Sequence, residues 1–190
     1  MAVKQKPLHQ AWQSFDRARR CYADFVRTER EFHIALEHWE DFLGHSVRCA
    51  NKLRAAFPKG HHLLRDMKNV QDAEPTVTYL FQARHANEHT LAEIAQPSPG
   101  FLAINSTDGD LVVERLTIGP DLLNAVASKN ARFTVQHPGI ELLPITNRGD
   151  LYHPPEEQSG PLAERIHAQD AGMTLIAFLH SFLERAARAD

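Results

Sequence analysis

Cysteine is scarce in this sequence: its two copies, Cys21 and Cys49, lie far apart and do not form a metal-type pair. A disulfide framework is therefore not expected, and a reducing compartment fits the sequence better. Long apolar runs are also missing, since no stretch approaches the ~20 residues that a membrane helix needs. Residues 1–7 lead into a charged helical pattern and not into the apolar core of a signal peptide. We expect a cytoplasmic protein that does not enter a membrane.

The sequence also lacks the motifs that mark several common kinds of active site. It has no glycine-rich phosphate loop, no nucleophile elbow and no cysteine–histidine pair of recognisable spacing. The acidic stretch 106–110 is too short for an EF-hand loop and predicts a turn. No cofactor is predicted.

Charge is nearly balanced overall but unevenly distributed along the chain. The formal net charge is −3, yet residues 1–70 hold 13 Lys and Arg against 8 Asp and Glu, whereas residues 71–160 hold 5 against 12. An excess of positive charge can attract a polyanion, but it is also ordinary on solvated helix faces. Charge alone therefore leaves nucleic-acid binding open.

Apolar residues recur at three- and four-residue steps from Leu8 to Leu43, which predicts one long amphipathic helix. Such a helix would be roughly 50 Å long, and this length favours a bend or break within it. Gly44 is placed to end the helix, and a shorter helix is predicted over 46–57.

Two more helices are predicted from capping and proline signals. Asp72 offers an N-cap for a helix that has Pro75 in its first turn and runs to about Ala95. Pro161 is predicted to begin the last helix, whose apolar positions repeat at helical spacing.

The pattern between these helices changes to short β-type runs. Two runs flank the turn at 106–110 and predict a hairpin, because turn residues between β-rich runs favour strand pairing. Segment 121–127 is predicted as a short helix. The predicted strands are 101–105, 111–118, 132–136, 140–145 and, as a short return, 151–153.

Together these patterns predict a mainly α-helical bundle with a small antiparallel β-sheet inserted before the last helix, α+β overall. We expect a single domain over residues 1–190. Within it, residues 8–96 and 160–188 form the bundle, and residues 100–153 form the inserted β-rich subdomain.

The stretch 84–89, Arg-His-Ala-Asn-Glu-His, is the part of the sequence that carries recognisable chemistry. On a helical wheel, Arg84, His85, Glu88 and His89 form one contiguous arc opposite the stripe that faces the bundle. A solvent-exposed face with an Arg84–Glu88 ion pair is one interpretation of this arc.

A chemical interpretation assigns each residue type a reason. Histidine titrates near neutral pH and can accept and return a proton. Arginine stays cationic and can hold two phosphate oxygens in its planar fork. This pair suits cleavage of an RNA backbone, in which a base activates the 2′-hydroxyl and a guanidinium stabilises the anionic phosphorane. The scheme requires no metal.

Residues 72–89 resemble the motif helix of HEPN-domain proteins. The family signature is Arg, then Asn, Asp or His, three further residues and His; Arg84, His85 and His89 occupy these positions. HEPN proteins are α-helical bundles that commonly dimerise, which brings two motifs together in a cleft. Many are metal-independent ribonucleases in toxin–antitoxin, phage-defence or RNA-processing systems. The β-rich insertion departs from the minimal family pattern and is a candidate partner-binding or substrate-selecting element.

The resemblance implies a role for each residue of the motif. His89 would be the catalytic histidine, acting as general base and acid, and Arg84 would bind phosphate. His85 would be the polar neighbour that assists. Apart from the resemblance, we expect His85 and Glu88 to orient or tune Arg84 and His89, and we assign Asn87, which lies towards the core on the wheel, a structural role. The resemblance also implies a homodimer, RNA as the substrate, and a protein inhibitor or partner.

Two other functions stay open on the sequence. His85 and His89 at i,i+4, with Glu88 adjacent, could share a metal ion, as in DinB-like four-helix metal proteins. The chain could instead be a non-catalytic helical module for interaction or dimerisation. A further metal ligand could come from the first predicted helix or its exit, at His33, His38 or His45.

Overall fold

The chain forms two compact units, one of Met1–Pro97 with Gly139–Asp190 and the other of Ser98–Pro138. We call them the helical unit and the small unit. Residues 139–153, which have a β-type sequence pattern, belong to the helical unit. The computed structural model describes residues 3–90, 93–99, 101–106, 108–110, 112–119, 122–127, 131–136, 139–158 and 163–189.

The helical unit is a bundle in which α5 contacts each of the other helices. The five helices of its described part are α1 (Gln5–Thr28), α2 (Phe32–Ala56), α3 (His62–Ala73), α4 (Pro75–Thr90) and α5 (Ala168–Ala187). Helix α5 buries an apolar face with three- and four-residue spacing, which is why it can occupy this position. The larger buried residues of this face are Leu175, Phe178, Leu179, Phe182 and Leu183.

Aromatic side chains fill the core between α1, α2 and α5. Trp39 is fully buried, and its ring lies 5.1 Å from that of Phe25 and 5.2 Å from that of Phe42, measured between centroids. Gly172 of α5 lies against this cluster, where a Cβ would stand only 2.5 Å from Cε2 of Tyr22. The close approach of α5 therefore depends on the missing side chain at residue 172.

The helical pattern over Leu8–Leu43 is divided between α1 and α2, which confirms the expected break, because the chain turns back between these helices. The Thr28 hydroxyl donates to the carbonyl oxygen of Asp24 at 2.8 Å, and the Glu31 N–H donates to the carbonyl of Thr28 at 2.7 Å. Side-chain bonding to the preceding turn competes with helix continuation. The break in the predicted helix thus lies at residues 29–31.

Gly44 does not end a helix, contrary to the prediction, since α2 continues through it to Ala56. Its role is to make room: a Cβ at residue 44 would lie 3.4 Å from Nε and from Nη2 of Arg84. Helix packing compensates for the low helix propensity of glycine at this point.

The boundary between α3 and α4 also differs from the prediction. Asp72 is not an N-cap but lies within α3, where it pairs with Lys68 at 2.5 Å. The carboxylate of Glu74 accepts instead from the backbone N–H of Thr76 at 3.3 Å, and Pro75 is the first residue of α4. Helix α4 ends at Thr90 and not near Ala95.

Short strand pairs lie in the segments before and after the small unit. β1 (Ala95–Ser98) pairs with β6 (Gly139–Leu142), β7 (Ile145–Asn147) with β8 (Asp150–Tyr152), and β9 (Glu156–Gln158) with β10 (Ala163–Arg165). Two of these pairs, β7 with β8 and β9 with β10, are antiparallel. The last helix begins at Ala168, so the predicted start at Pro161 is wrong; Pro161 itself lies outside the described residues.

In its described part, the small unit has two antiparallel strand pairs. Both strands of one pair lie, in sequence, between the two strands of the other pair. β2 (Phe101–Ser106) pairs with β5 (Ala131–Gln136), and β3 (Val113–Gly119) pairs with β4 (Leu122–Ala127). The predicted hairpin of 101–105 with 111–118 is therefore wrong, and so is the predicted helix over 121–127. Strand pairing over a short β3–β4 connection takes precedence over the weak helical pattern there.

The observed architecture confirms the predicted fold class. The chain is mainly helical, with antiparallel β-structure inserted before the last helix. Within the described residues, no helix combines the length and the apolar character that crossing a bilayer would require.

Candidate functional site

Arg84 lies partly buried where α4 packs against α2. Its side chain keeps 20% of its exposure, and its guanidinium lies against Gly44. The wheel places this residue on an arc that faces away from the bundle, and for Arg84 this expectation is wrong. The absence of a large side chain at residue 44 lets an arginine of α4 lie against α2.

Polar side chains hold the Arg84 guanidinium in place. Nη1 donates to Oδ1 of Asn87 at 3.0 Å, and Nη2 forms an ion pair with Oε1 of Glu88. Asn87 in turn donates from Nδ2 to Oε1 of Glu40 at 2.9 Å. Arg84 Nε is buried and has no hydrogen-bond partner among the described residues. Asn87, assigned a structural role from the sequence, thus connects the arginine to a carboxylate of α2.

His85 and His89 are stacked one helical turn apart on α4. Their rings are nearly parallel, at 10°, with centroids 6.3 Å apart. His85 is half-buried and His89 is exposed. Burial lowers the pKa of His85, and nearby His89, Arg148 and Arg84 lower it further, while Glu88 opposes them. The uncharged form of His85, which is the form that accepts a proton, therefore persists to lower pH than that of a free imidazole.

Arg148 reaches the neighbourhood of His85 from a tight turn between β7 and β8. The last strand pair is Asn147 with Asp150, so the loop contains only Arg148 and Gly149. Both have positive φ, 55° for Arg148 and 90° for Gly149, which is the geometry of a type I′ turn. Positive φ is unfavourable for an arginine, and such strain is concentrated at functional sites.

Two hydrogen bonds fasten this segment to α4. Buried Asn147 donates from Nδ2 to Oε1 of Gln82 at 2.6 Å, one turn before His85. The hydroxyl of Tyr79 donates to the carbonyl of Leu143 at 2.6 Å. These bonds determine where Arg148 can lie relative to the histidines. We call Arg84, His85, Glu88, His89 and Arg148 the motif face.

The same face contains a potential group of metal ligands. One ligand atom each from His85, Glu88 and His89 lie within 4.8 Å of one another, and no other group of this kind occurs in the described part of the chain. The sequence-based candidates for a further ligand, His33, His38 and His45, are not in the group. Glu88 is also the ion-pair partner of Arg84, so a metal would compete with the guanidinium for this carboxylate.

The structure places Arg84, His85, Glu88 and His89 on one face of α4, as their spacing requires. Arg148, which lies between the predicted strands 140–145 and 151–153, is not among the site residues predicted from the sequence. A signal was present: the first central position of a two-residue hairpin loop usually holds Asn, Asp or Gly. An arginine at this position is unusual, which makes Arg148 a functional candidate.

In comparisons with known proteins, no family model, no curated protein and no solved structure matches this chain. The functional assignment therefore rests on the residues of the motif face.

Proposed function

We propose that this protein is a HEPN-like, metal-independent endoribonuclease whose site is the motif face. The observation that carries the proposal is the pair of stacked imidazoles, His85 and His89, on the same helix as the partly buried Arg84. The charge of Arg148 also acts on His85. Cleavage of RNA at a 2′-hydroxyl needs two proton transfers and stabilisation of an anionic phosphorane. Two histidines and two arginines supply these groups.

The different environments of the histidines suggest their roles. His85, kept neutral by burial, removes the proton from the 2′-hydroxyl, and the 2′-oxygen attacks phosphorus. His89, exposed to solvent, gives a proton to the 5′-oxygen as the bond from phosphorus to that oxygen breaks. The products are a 2′,3′-cyclic phosphate and a 5′-hydroxyl end, and no oxidant, reductant or metal is consumed.

The two arginines neutralise the negative charge of the phosphate. Arg84 is held by Asn87 and Glu88, so its guanidinium is positioned before RNA arrives. Preorganised charge of this kind lowers the barrier because it need not reorient during the reaction. Arg148 adds a second cation from the β7–β8 turn, and Glu88 orients Arg84.

The proposal includes a homodimer in which two motif faces meet, acting on RNA in the cytoplasm and regulated by a protein inhibitor or partner. Glu88 and His89 are exposed, as is Leu151 beside the β7–β8 turn, at 59%. Light scattering on the purified chain tests this part: a mass of about twice 21.5 kDa is expected. A monomer that cleaves RNA would remove the dimer from the proposal and leave the chemistry.

The chemistry is tested by incubating the purified full chain with end-labelled RNA in EDTA. We expect fragments that end in a 2′,3′-cyclic phosphate, and a loss of rate of about 10²–10⁴-fold in His85→Ala and in His89→Ala. The matched control is His9→Ala, an exposed histidine of α1, which should retain full activity. RNA with a 2′-deoxy sugar at the cleavage site should be resistant. No cleavage across a broad RNA panel would sink the proposal and leave a non-catalytic interaction module.

A divalent-metal site is a second candidate function, favoured by the close approach of His85, Glu88 and His89. Two imidazoles and a carboxylate are a common zinc-ligand set. Metal analysis of purified, dialysed protein decides between the candidates. Stoichiometric zinc that is lost in His89→Ala, together with activity abolished by EDTA, would replace the metal-independent mechanism.

A further inference from the structure

A cavity of about 290 Å³ lies beside the motif face, between α2 and the segment that follows α4. One wall is a stripe of α2 formed by Phe32, Leu36 and Glu40 at four-residue spacing. The remaining lining residues are Asn87, Glu93, Ile94, Ala95, Gln96 and Pro97. The cavity thus combines apolar walls with a few polar groups, which is typical of sites for small-molecule ligands.

The polar groups of this cavity favour a ligand that donates hydrogen bonds. Of the described residues that line it, only Glu40 and Glu93 are charged, and both are acidic. A phosphate would be repelled by these carboxylates. Oε1 of Glu40 accepts from Asn87. A carboxylate has about four lone-pair sites, so both of its oxygens can still accept from a ligand.

Asn87 connects the cavity with the motif face. It lines the cavity, orients Glu40 through Nδ2 and accepts from Arg84 through Oδ1. A group bound next to Glu40 is therefore separated from the proposed phosphate-binding arginine by a single side chain. An RNA nucleotide has this arrangement of parts, with a base on one side and a phosphate on the other.

We propose that this cavity binds a guanine base, so that the ribonuclease cleaves next to guanosine; this rests on the proposed function for its link to catalysis. Guanine carries two adjacent donors, N1–H and the N2 amino group, and a carboxylate can accept from both. Uracil presents one donor between two carbonyl oxygens, which Glu40 would repel. Phe32 and Leu36 offer apolar surface for the base, as single-stranded RNA recognition commonly requires.

The test uses free guanosine, which has no phosphate and therefore does not depend on Arg84 or on catalysis. An NMR titration of the full-length protein should show saturable binding, with shifts of Leu36 and Ile94. Inosine lacks the N2 amino group and should bind at least about tenfold more weakly, because a hydrogen bond to a charged group is lost. Uridine should show no binding at the same concentration.

Two variants locate this binding at Glu40. Glu40→Gln keeps an oxygen that can accept from Asn87, and it should weaken guanosine binding at least about tenfold. The matched control is Glu37→Gln, an exposed carboxylate of the same helix outside the cavity, which should bind as the wild type does. Leu36→Arg, which fills the cavity with a cation, should abolish binding. Thermal unfolding of each variant establishes that it is folded.

The outcomes separate the two proposals. Guanosine binding without cleavage of any RNA would overturn the proposed ribonuclease activity and retain the guanine site. Competition by GMP and by a G-containing oligonucleotide would then show whether the site prefers guanine of a free nucleotide or of RNA. Cleavage of RNA with equal binding of all nucleosides, or with none, would overturn the guanine site alone. Preferred binding of N-acetyl-arginine amide over guanosine would also overturn it, because the cavity would then suit a peptide side chain.

Discussion

Arg84 of α4 lies against Gly44 of α2, where a Cβ would be 3.4 Å from Nε and from Nη2 of the guanidinium. This is an ordinary van der Waals distance, so a methyl group fits but nothing larger does. The proposed phosphate-binding arginine is therefore positioned by a glycine that lies 40 residues earlier in the chain.

Gly44→Ala should stabilise the protein by about 0.5–1 kcal/mol, because alanine has the higher helix propensity and its methyl group fits. Gly44→Leu should instead displace the Arg84 guanidinium and lower kcat/KM for RNA on the order of 100-fold, as small misplacements of catalytic groups do. Chemical denaturation and RNA cleavage measure the two effects. A destabilised Gly44→Ala, or a fully active Gly44→Leu, would contradict this account of residue 44.

Arg148→Asn should raise stability and weaken RNA binding together. Asparagine tolerates the positive φ of 55° better than arginine, so relief of about 1 kcal/mol is expected. Loss of a phosphate contact should reduce the slope of log K against log salt by about 0.7 for single-stranded RNA. Urea denaturation and fluorescence anisotropy at several salt concentrations provide the measurements. Arg65→Asn, at an exposed arginine of α3, is the control for loss of a charge, and it should leave the slope unchanged.

On its acidic side, the pH–rate profile should fall at a pH below about 6.5, which is the ordinary pKa of histidine. Burial, assisted by His89, Arg148 and Arg84, lowers the pKa of His85, so its basic form persists to lower pH than that of a free imidazole. Activity is lost only as pH falls through this lowered value. Removing a positive neighbour in Arg148→Asn should move this fall back to higher pH. NMR titration of the His85 ring provides an independent check, and a His85 pKa above its ordinary value would contradict the assignment of His85 as base.

Gly172→Ala should destabilise the protein by about 1–3 kcal/mol, the usual result of overpacking a core. Its Cβ would stand 2.5 Å from Cε2 of Tyr22 and 3.2 Å from Cζ3 of Trp39. Thermal and chemical unfolding measure the change. The control is the next residue, Met173→Ala, whose side chain is 55% exposed and which should change stability by less than about 0.5 kcal/mol. Equal stability of the two variants would show that α5 can move away from the core.

Sequence periodicity predicted the helices better than it predicted their ends. The apolar positions of α1 and α2 form a nearly continuous pattern, because the residues after the break at 29–31 resume helical spacing. Only hydrogen bonds around Thr28 show that the chain reverses there. At Gly44 the sequence predicted a helix end where there is none. This glycine lies inside α2, where its small size leaves room for Arg84 of α4.

Strand partners were harder still to predict from the sequence. The turn signal at 106–110 indicated a local hairpin, yet β2 pairs with β5 and β3 with β4. A strand carries little information on its partner, because hydrogen-bonding groups repeat identically along every strand. The pairing of strands that are distant in sequence, such as β2 and β5, therefore depends on how the whole small unit folds.

By itself the sequence determined that Arg84, His85, Glu88 and His89 form one contiguous arc of a helix, because residues three and four positions apart are neighbours on the helix surface. Tertiary structure alone decided the rest of the site. Packing of α4 on α2 brought Arg84 to Gly44 and Asn87 to Glu40, and the β7–β8 turn brought Arg148 towards His85. The lowered pKa of His85 was also decided by the tertiary structure, since burial and neighbouring charge exist only after distant parts of the chain have come together.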